Sequence, residues 1–131
     1  MILAGDLGVT NAVISTMEGD GEKYLHITLA FKEDYVEEFL LAEVVRRFEH
    51  FAFSAYRKDE YCFYAEAHLP RIKSYTNAKT GVFVERKPHI HIVIPKTNLL
   101  SGQHLNPFGV VTHNERFLDA WQEHVNRTMG F

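Results

Sequence analysis

The run His89-Ile90-His91 places two imidazoles on either side of one apolar side chain. In an extended strand residues i and i+2 share a face, so both rings point the same way while Ile90 anchors the strand in the core. Two imidazoles seldom hold a divalent ion alone. Further ligands are offered by residues 61–69, whose alternation puts Cys62, Tyr64, Glu66 and His68 on one side and Tyr61, Phe63, Ala65, Ala67 and Leu69 on the other. His68, or Glu66 two residues before it, is the third candidate ligand, provided that this strand lies antiparallel beside the first. Three ligands leave open coordination positions, where a catalytic ion can bind a phosphoryl oxygen and stabilise the charge that develops on it. An isolated His-X-His also occurs on half-exposed sheets with no ligand role. Here the apolar flanks, the additional His and Glu on one face and the basic residues between the two strands favour a metal acting on a phosphodiester.

The elements that must position these residues follow from periodicity. Residues 24–31 alternate, with Leu25, Ile27, Leu29 and Phe31 on one face and Tyr24, His26, Thr28 and Ala30 on the other, which predicts a strand. Asp34 and Glu37 have capping-box spacing, and Val36, Phe39, Leu40, Val44, Phe48 and Phe51 recur at helical intervals, predicting a helix over about 35–53. The polar stretch 71–87, with Asn77 and Gly81 near its middle, predicts a hairpin that returns the chain antiparallel to the strand 89–94. Thr112 and Glu115 form a second capping-box pattern ahead of a stripe of Phe117, Trp121 and Val125, for a helix ending near Gly130. Residues 1–22 contain four glycines and read as a loose hairpin or entry segment. The expected fold class is α+β: a central antiparallel sheet with helices packed mainly on one face.

Length and composition agree with one domain spanning 1–131. At 46% hydrophobic and 24% charged residues the chain lies outside the range of disordered sequences. No apolar run approaches the roughly 20 residues of a membrane-spanning helix, and residues 1–11 lack the pattern of a signal peptide, so a cytoplasmic protein is expected. The single cysteine, Cys62, reads as a small buried hydrophobe. Charge is unevenly placed: residues 67–100 carry Arg71, Lys73, Lys79, Arg86, Lys87 and Lys96 against one acid, Glu85. That stretch is net +5 in a chain of net −3, which leaves −8 on the rest. A basic stretch on an acidic protein suits a polyanion arriving at one place, with these six side chains as the candidate contacts, although an ordinary solvated hairpin would carry the same charges.

Residues 87–109, reading KPHIHIVIPKTNLLSGQHLNPFG, resemble the central motif of the HUH endonucleases, specifically the conjugative relaxases. The two histidines flanking a hydrophobic residue, the upstream His68, and the Asn-Pro segment and helix that follow all contribute to the resemblance, which runs from about residue 24 to the end. The family implies a ferredoxin-like core and a divalent ion held by His68, His89 and His91. It also implies a tyrosine that attacks a single-stranded DNA phosphate at an origin of transfer, leaving a covalent 5′-phosphotyrosine, and relaxosome proteins as further partners. Mg or Mn is the expected ion, with Zn, Ni or Co also accepted by imidazole ligands. The nucleophile stays unassigned. Relaxases carry it ahead of this region, but no Tyr precedes Tyr24 and none follows Tyr75, so the chain is expected to be a fragment lacking an upstream nucleophile segment.

Two alternatives stand beside this reading. One is a DNA-binding module of the same fold without cleavage. The other is a metal-free phosphoesterase, because His26-Ile27-Thr28 resembles the first motif of the 2H phosphoesterases, in which paired histidines serve as general acid and base. Its weakness is His91, which stands where the second motif has Thr or Ser. Outside that alternative, His26 is expected to be a partly buried strand residue, and His50, His104, His113 and His124 to be ordinary surface imidazoles; Asn98 and Asn106 are expected to serve loop capping.

Overall fold

The computed structural model describes residues 1–19, 21–33, 35–70, 75–84, 86–107 and 111–131, with side chains from 118 onward in the last segment. It is α+β. Strands β1 (Ile2–Gly5), β2 (Tyr24–Ala30), β3 (Tyr64–His68) and β6 (His89–Pro95) form one antiparallel sheet in the order β1-β3-β6-β2. The short β4 (Tyr75–Thr76) and β5 (Phe83–Val84) pair as a separate ribbon between β3 and β6. Three helices complete the chain: α1 (Leu7–Thr16), α2 (Glu38–Ala52) and α3 (Val111–Met129).

The core forms on one face of the sheet because the strands alternate there. Ile90, Ile92 and Ile94 of β6 are fully buried, flanked by Leu25, Ile27 and Leu29 of β2 and by Ala65 and Ala67 of β3. Helix α2 closes this face with Leu41, Val44, Val45, Phe48 and Ala52, a helical stripe. Helix α3 adds Val125 and Trp121, whose indole lies between Phe48 and Phe51 at ring separations of 5.6 and 5.4 Å. Gln122 Nε2 donates to the Ala30 carbonyl at 2.8 Å, tying α3 to the end of β2. Helix α1 packs against β6 and adds none of the described apolar residues to this core.

Several expectations are corrected. The Gly-rich beginning is neither hairpin nor loose entry: β1 pairs at the sheet edge, and Asp6 caps α1 by accepting from the Val9 N–H at 2.9 Å. The glycine that suggested a turn is needed because Gly5 sits at φ +79, where an added Cβ would lie 1.9 Å from the Phe63 carbonyl oxygen. Phe39, assigned to the apolar stripe, is 65% exposed; the helix starts at Glu38 and turns Leu41 inward instead. Glu37 is the residue that precedes that helix and makes no side-chain cap, while Asp34 and the side chains of Thr112, Glu115 and Phe117 lie outside the described residues. The strand expected from residue 61 begins at Tyr64. Among the described residues no helix is long and apolar enough to cross a membrane.

Gly5→Ala is expected to destabilise the fold by about 2–4 kcal/mol, since it combines an unfavourable φ with a clash against backbone. Denaturant unfolding measures this; a midpoint equal to the wild type would show that β1 does not pack as described.

Candidate metal centre

The polar face of the sheet is built by the same alternation that builds the core. With Ile90, Ile92 and Ile94 turned inward, His89, His91 and Val93 must point the other way. The registers then decide which side chains meet. His68 stands opposite His89 and Glu66 opposite His91 on one side, while Thr28 stands opposite His91 on the other. As a result one ligand nitrogen from each of His68, His89 and His91 lies within 4.8 Å of the others. Their ring centroids are 4.9, 4.7 and 4.7 Å apart. Three imidazoles converging at this distance can hold one divalent ion, with the remaining positions open to the solvent side, where His68 is exposed.

Two rings have a second contact that decides which nitrogen is available. His89 Nδ1 lies 3.2 Å from the Lys87 carbonyl, so its N–H is directed there and Nε2 is left as the acceptor. His91 Nδ1 lies 2.9 Å from His26 Nε2 and 3.3 Å from Thr28 Oγ1, which engage that nitrogen whichever partner carries the proton. His26 therefore borders the site; it is exposed where a partly buried strand residue was expected, and its ring stacks on that of His91 at 5.0 Å. The signal was present in the sequence as parity: His26 and Thr28 share the face opposite Leu25, Ile27 and Leu29.

Glu66 borders the cluster without joining it. Its carboxylate accepts from the Tyr64 hydroxyl, and that bond is the main reason its pKa is held below the usual carboxylate range. The same bond pushes the Tyr64 phenol up to about 12, which keeps it protonated. The His91 pKa is lowered, first by burial and then by the charges that His89, His68 and His26 would carry, with Glu66 opposing. A neutral imidazole is the form that binds metal.

The six candidate DNA contacts separate. Lys79 is exposed at the tip of the β4–β5 ribbon, Arg86 is exposed with its guanidinium 5.8 Å from the centre of the Tyr75 ring, and Lys87 is partly buried beside His89. Lys96 is corrected: it is buried and paired with Glu22 at 3.0 Å, so its ammonium is committed within the protein. Arg71 and Lys73 lie outside the described residues. Asn98 does cap its loop, accepting from the Leu100 and Ser101 N–H groups at 3.0 and 3.1 Å. Cys62 is half-buried with its thiol pKa raised by burial.

The lowered His91 pKa has a consequence for stability. The unfolded chain binds a proton on this ring near the ordinary value of about 6.5, before the folded chain does. Stability is then fully present above that value and falls as the pH drops toward the lowered folded value. Urea unfolding from about pH 7 to pH 5 should show a shallower acid-side loss in His91→Gln than in the wild type; identical slopes would contradict the crowding of His91 by its neighbours. Compared with known proteins, the chain matches no family model, no curated protein and no solved structure.

Proposed function

We propose that the protein is a metal-dependent phosphodiester transesterase of the relaxase type, cutting single-stranded DNA at an origin of transfer. The observation that carries this reading is the convergence of His68, His89 and His91 within 4.8 Å on an open sheet face, with Nδ1 of His89 and of His91 already engaged. The resemblance of residues 87–109 to the HUH motif supplies the reaction class. The element order supports a ferredoxin-like core, since β2-α2-β3-β6-α3 follows the first five elements of a β-α-β-β-α-β unit, with β4–β5 inserted as an arm.

Three neutral imidazoles add no negative charge, so a bound divalent ion would keep its full charge for a phosphoryl oxygen and the leaving group. His68, His89 and His91 would hold it, and His26 and Thr28 would keep the His91 ring in place. Glu66 lies on the same face and adds one negative charge opposite His91, which offsets part of the positive charge gathered there. Tyr24 is 48% exposed on the polar face of β2, whereas Tyr64 is buried against Glu66; of these two, only Tyr24 offers a hydroxyl that a strand on this face could reach.

A second reading is favoured by one observation, the direct pairing of β2 with β6, which puts His26 and Thr28 on the same sheet face as His89 and His91 and so brings together the two segments a 2H phosphoesterase would use. In that reading His26 and His89 would be the acid–base pair, but an imidazole, His91, stands where the second motif's hydroxyl should hold the phosphate and already contacts both His26 and Thr28.

Calorimetric titration with Mn²⁺ separates the two. One site is expected, lost in His89→Ala and His91→Ala and weakened about 10–100-fold in His26→Ala, because removing a partner of a ligating histidine costs that much. Incubation of the loaded protein with a single-stranded oligonucleotide should yield a nicked product and a covalent adduct. No Mn²⁺ binding, combined with cleavage that resists chelator, would replace the metal reading by the metal-free one.

A further inference from the structure

The β4–β5 ribbon is inserted in the chain between β3, which ends at His68, and β6, which begins at His89, the two residues that face each other in the candidate metal centre. Its turn is firmly built. Asn77 exchanges backbone hydrogen bonds with Val82 and Gly81 at 2.8 Å each, its side chain accepts from the Lys79 and Thr80 N–H groups at 2.9 and 3.3 Å, and Gly81 takes φ +70. On this braced arm the apolar side chains face solvent: Val82 is 58%, Phe83 55% and Tyr75 41% exposed. The register pairs Tyr75 with Val84 and Thr76 with Phe83, which puts one aromatic ring on each face of the ribbon. Water-facing rings on a short two-stranded ribbon contribute little to folding, since burial is what makes an aromatic stabilising.

The surrounding charge narrows what they could meet. Residues 71–87 contain Arg71, Lys73, Lys79, Arg86 and Lys87 against Glu85 alone, in a chain whose net charge is −3. An apolar protein partner would not call for that balance, which suits a polyanion reaching this one place. Cations that meet phosphates, interleaved with exposed rings that can stack on bases, Phe83 and the face of Tyr75 that Arg86 leaves open, are the two components of a single-strand binding surface. Duplex DNA hides its base faces in the stack and offers such rings nothing.

We propose that the β4–β5 arm grips single-stranded nucleic acid beside the metal centre, with Phe83 and Tyr75 stacking on bases and Lys79 and Arg86 against the phosphates. This rests on the phosphodiester reading for its substrate class and adds the surface that holds the strand. The arm would fix the strand on either side of the bond that reaches His68 and His89, and it would do so for any base sequence, since every base has a face to stack.

The test is fluorescence anisotropy of labelled oligonucleotides of about 15 nucleotides, single-stranded dT, single-stranded rU and a DNA duplex, with the full chain in chelator. Single strands should bind more tightly than the duplex. Phe83→Ala is expected to weaken single-strand binding about tenfold and the Tyr75→Ala/Phe83→Ala pair further, while Phe83→Trp restores it. Equal losses on dT and rU support the arm as a reader of bases and not of sugar; a loss on dT alone supports it as a DNA-only surface. Both rings are exposed, so an unchanged circular dichroism spectrum is expected for each variant. Unchanged affinity in the double variant, or a wild type that binds the duplex as well as the single strand, overturns the proposal. Because the measurement contains no divalent ion, ring-dependent binding with no Mn²⁺ site would leave the arm standing and remove the metal reading; a Mn²⁺ site with ring-independent binding would do the reverse.

Discussion

The whole molecule depends on the register of one strand. β6 is hydrogen-bonded on both sides, and its Ile90, Ile92 and Ile94 are shut out of water completely. Burying three such side chains contributes several kcal/mol in total, and a slip of one residue would exchange them for His89, His91 and Val93. That penalty holds the two histidines on the opposite face. The hydrophobic core therefore does more than stabilise the fold, because the same alternation that fills it determines where the imidazoles stand. β2 and β3 are locked to β6 by the same logic, each sending its apolar residues inward and so bringing His26, Thr28, Glu66 and His68 to one place.

The polar face pays for this arrangement electrostatically. His91 is pressed by three other rings, and burial together with their prospective charges lowers its pKa. Such crowding gives no packing advantage that a Thr or Val would not give at lower cost, and groups kept in an unfavourable protonation balance gather where chemistry is done. Glu66 opposes the effect from across the ladder, but its carboxylate is already bonded to Tyr64. The outcome is a cluster in which Nδ1 of His89 is turned to the Lys87 carbonyl and Nδ1 of His91 to His26 and Thr28, so that the other ring nitrogen of each is left for something electron-poor.

How much of this could be read from the sequence depended on whether a signal was local. The strand alternation in residues 24–31 and 89–94 is a period of two over six or more residues, and it located the core face and the His pair correctly. The antiparallel return that brings His68 to His89 was legible because Asn77 and Gly81 mark a turn. The initial segment was misread because glycine has two meanings. Gly5 permits a close backbone approach to Phe63, a contact more than fifty residues away in sequence, and nothing local announces it. Phe39 failed for a similar reason: helical spacing gives the stripe but not its rotation, and the inward place falls two positions on, at Leu41. Lys96 shows the limit for charge, since its partner Glu22 lies on the far side of the β2–β6 ladder in sequence and composition alone cannot tell a committed cation from an available one.

The openness of the site sets what it can act on. His68 is exposed, and the cluster sits on a sheet face instead of in a closed chamber. A small substrate gains its affinity by being surrounded, and a flat imidazole cluster cannot surround one. A polymer gains it by many contacts spread along its length, of which only one needs to be at the reacting bond. On the proposed reading the geometry would separate two tasks that enclosed active sites combine: the sheet face would hold the reacting group in place, and affinity would come from elements beside it. On the proposed reading a site so divided would tolerate an exposed centre, because a strand lying along the face would bring its own cover.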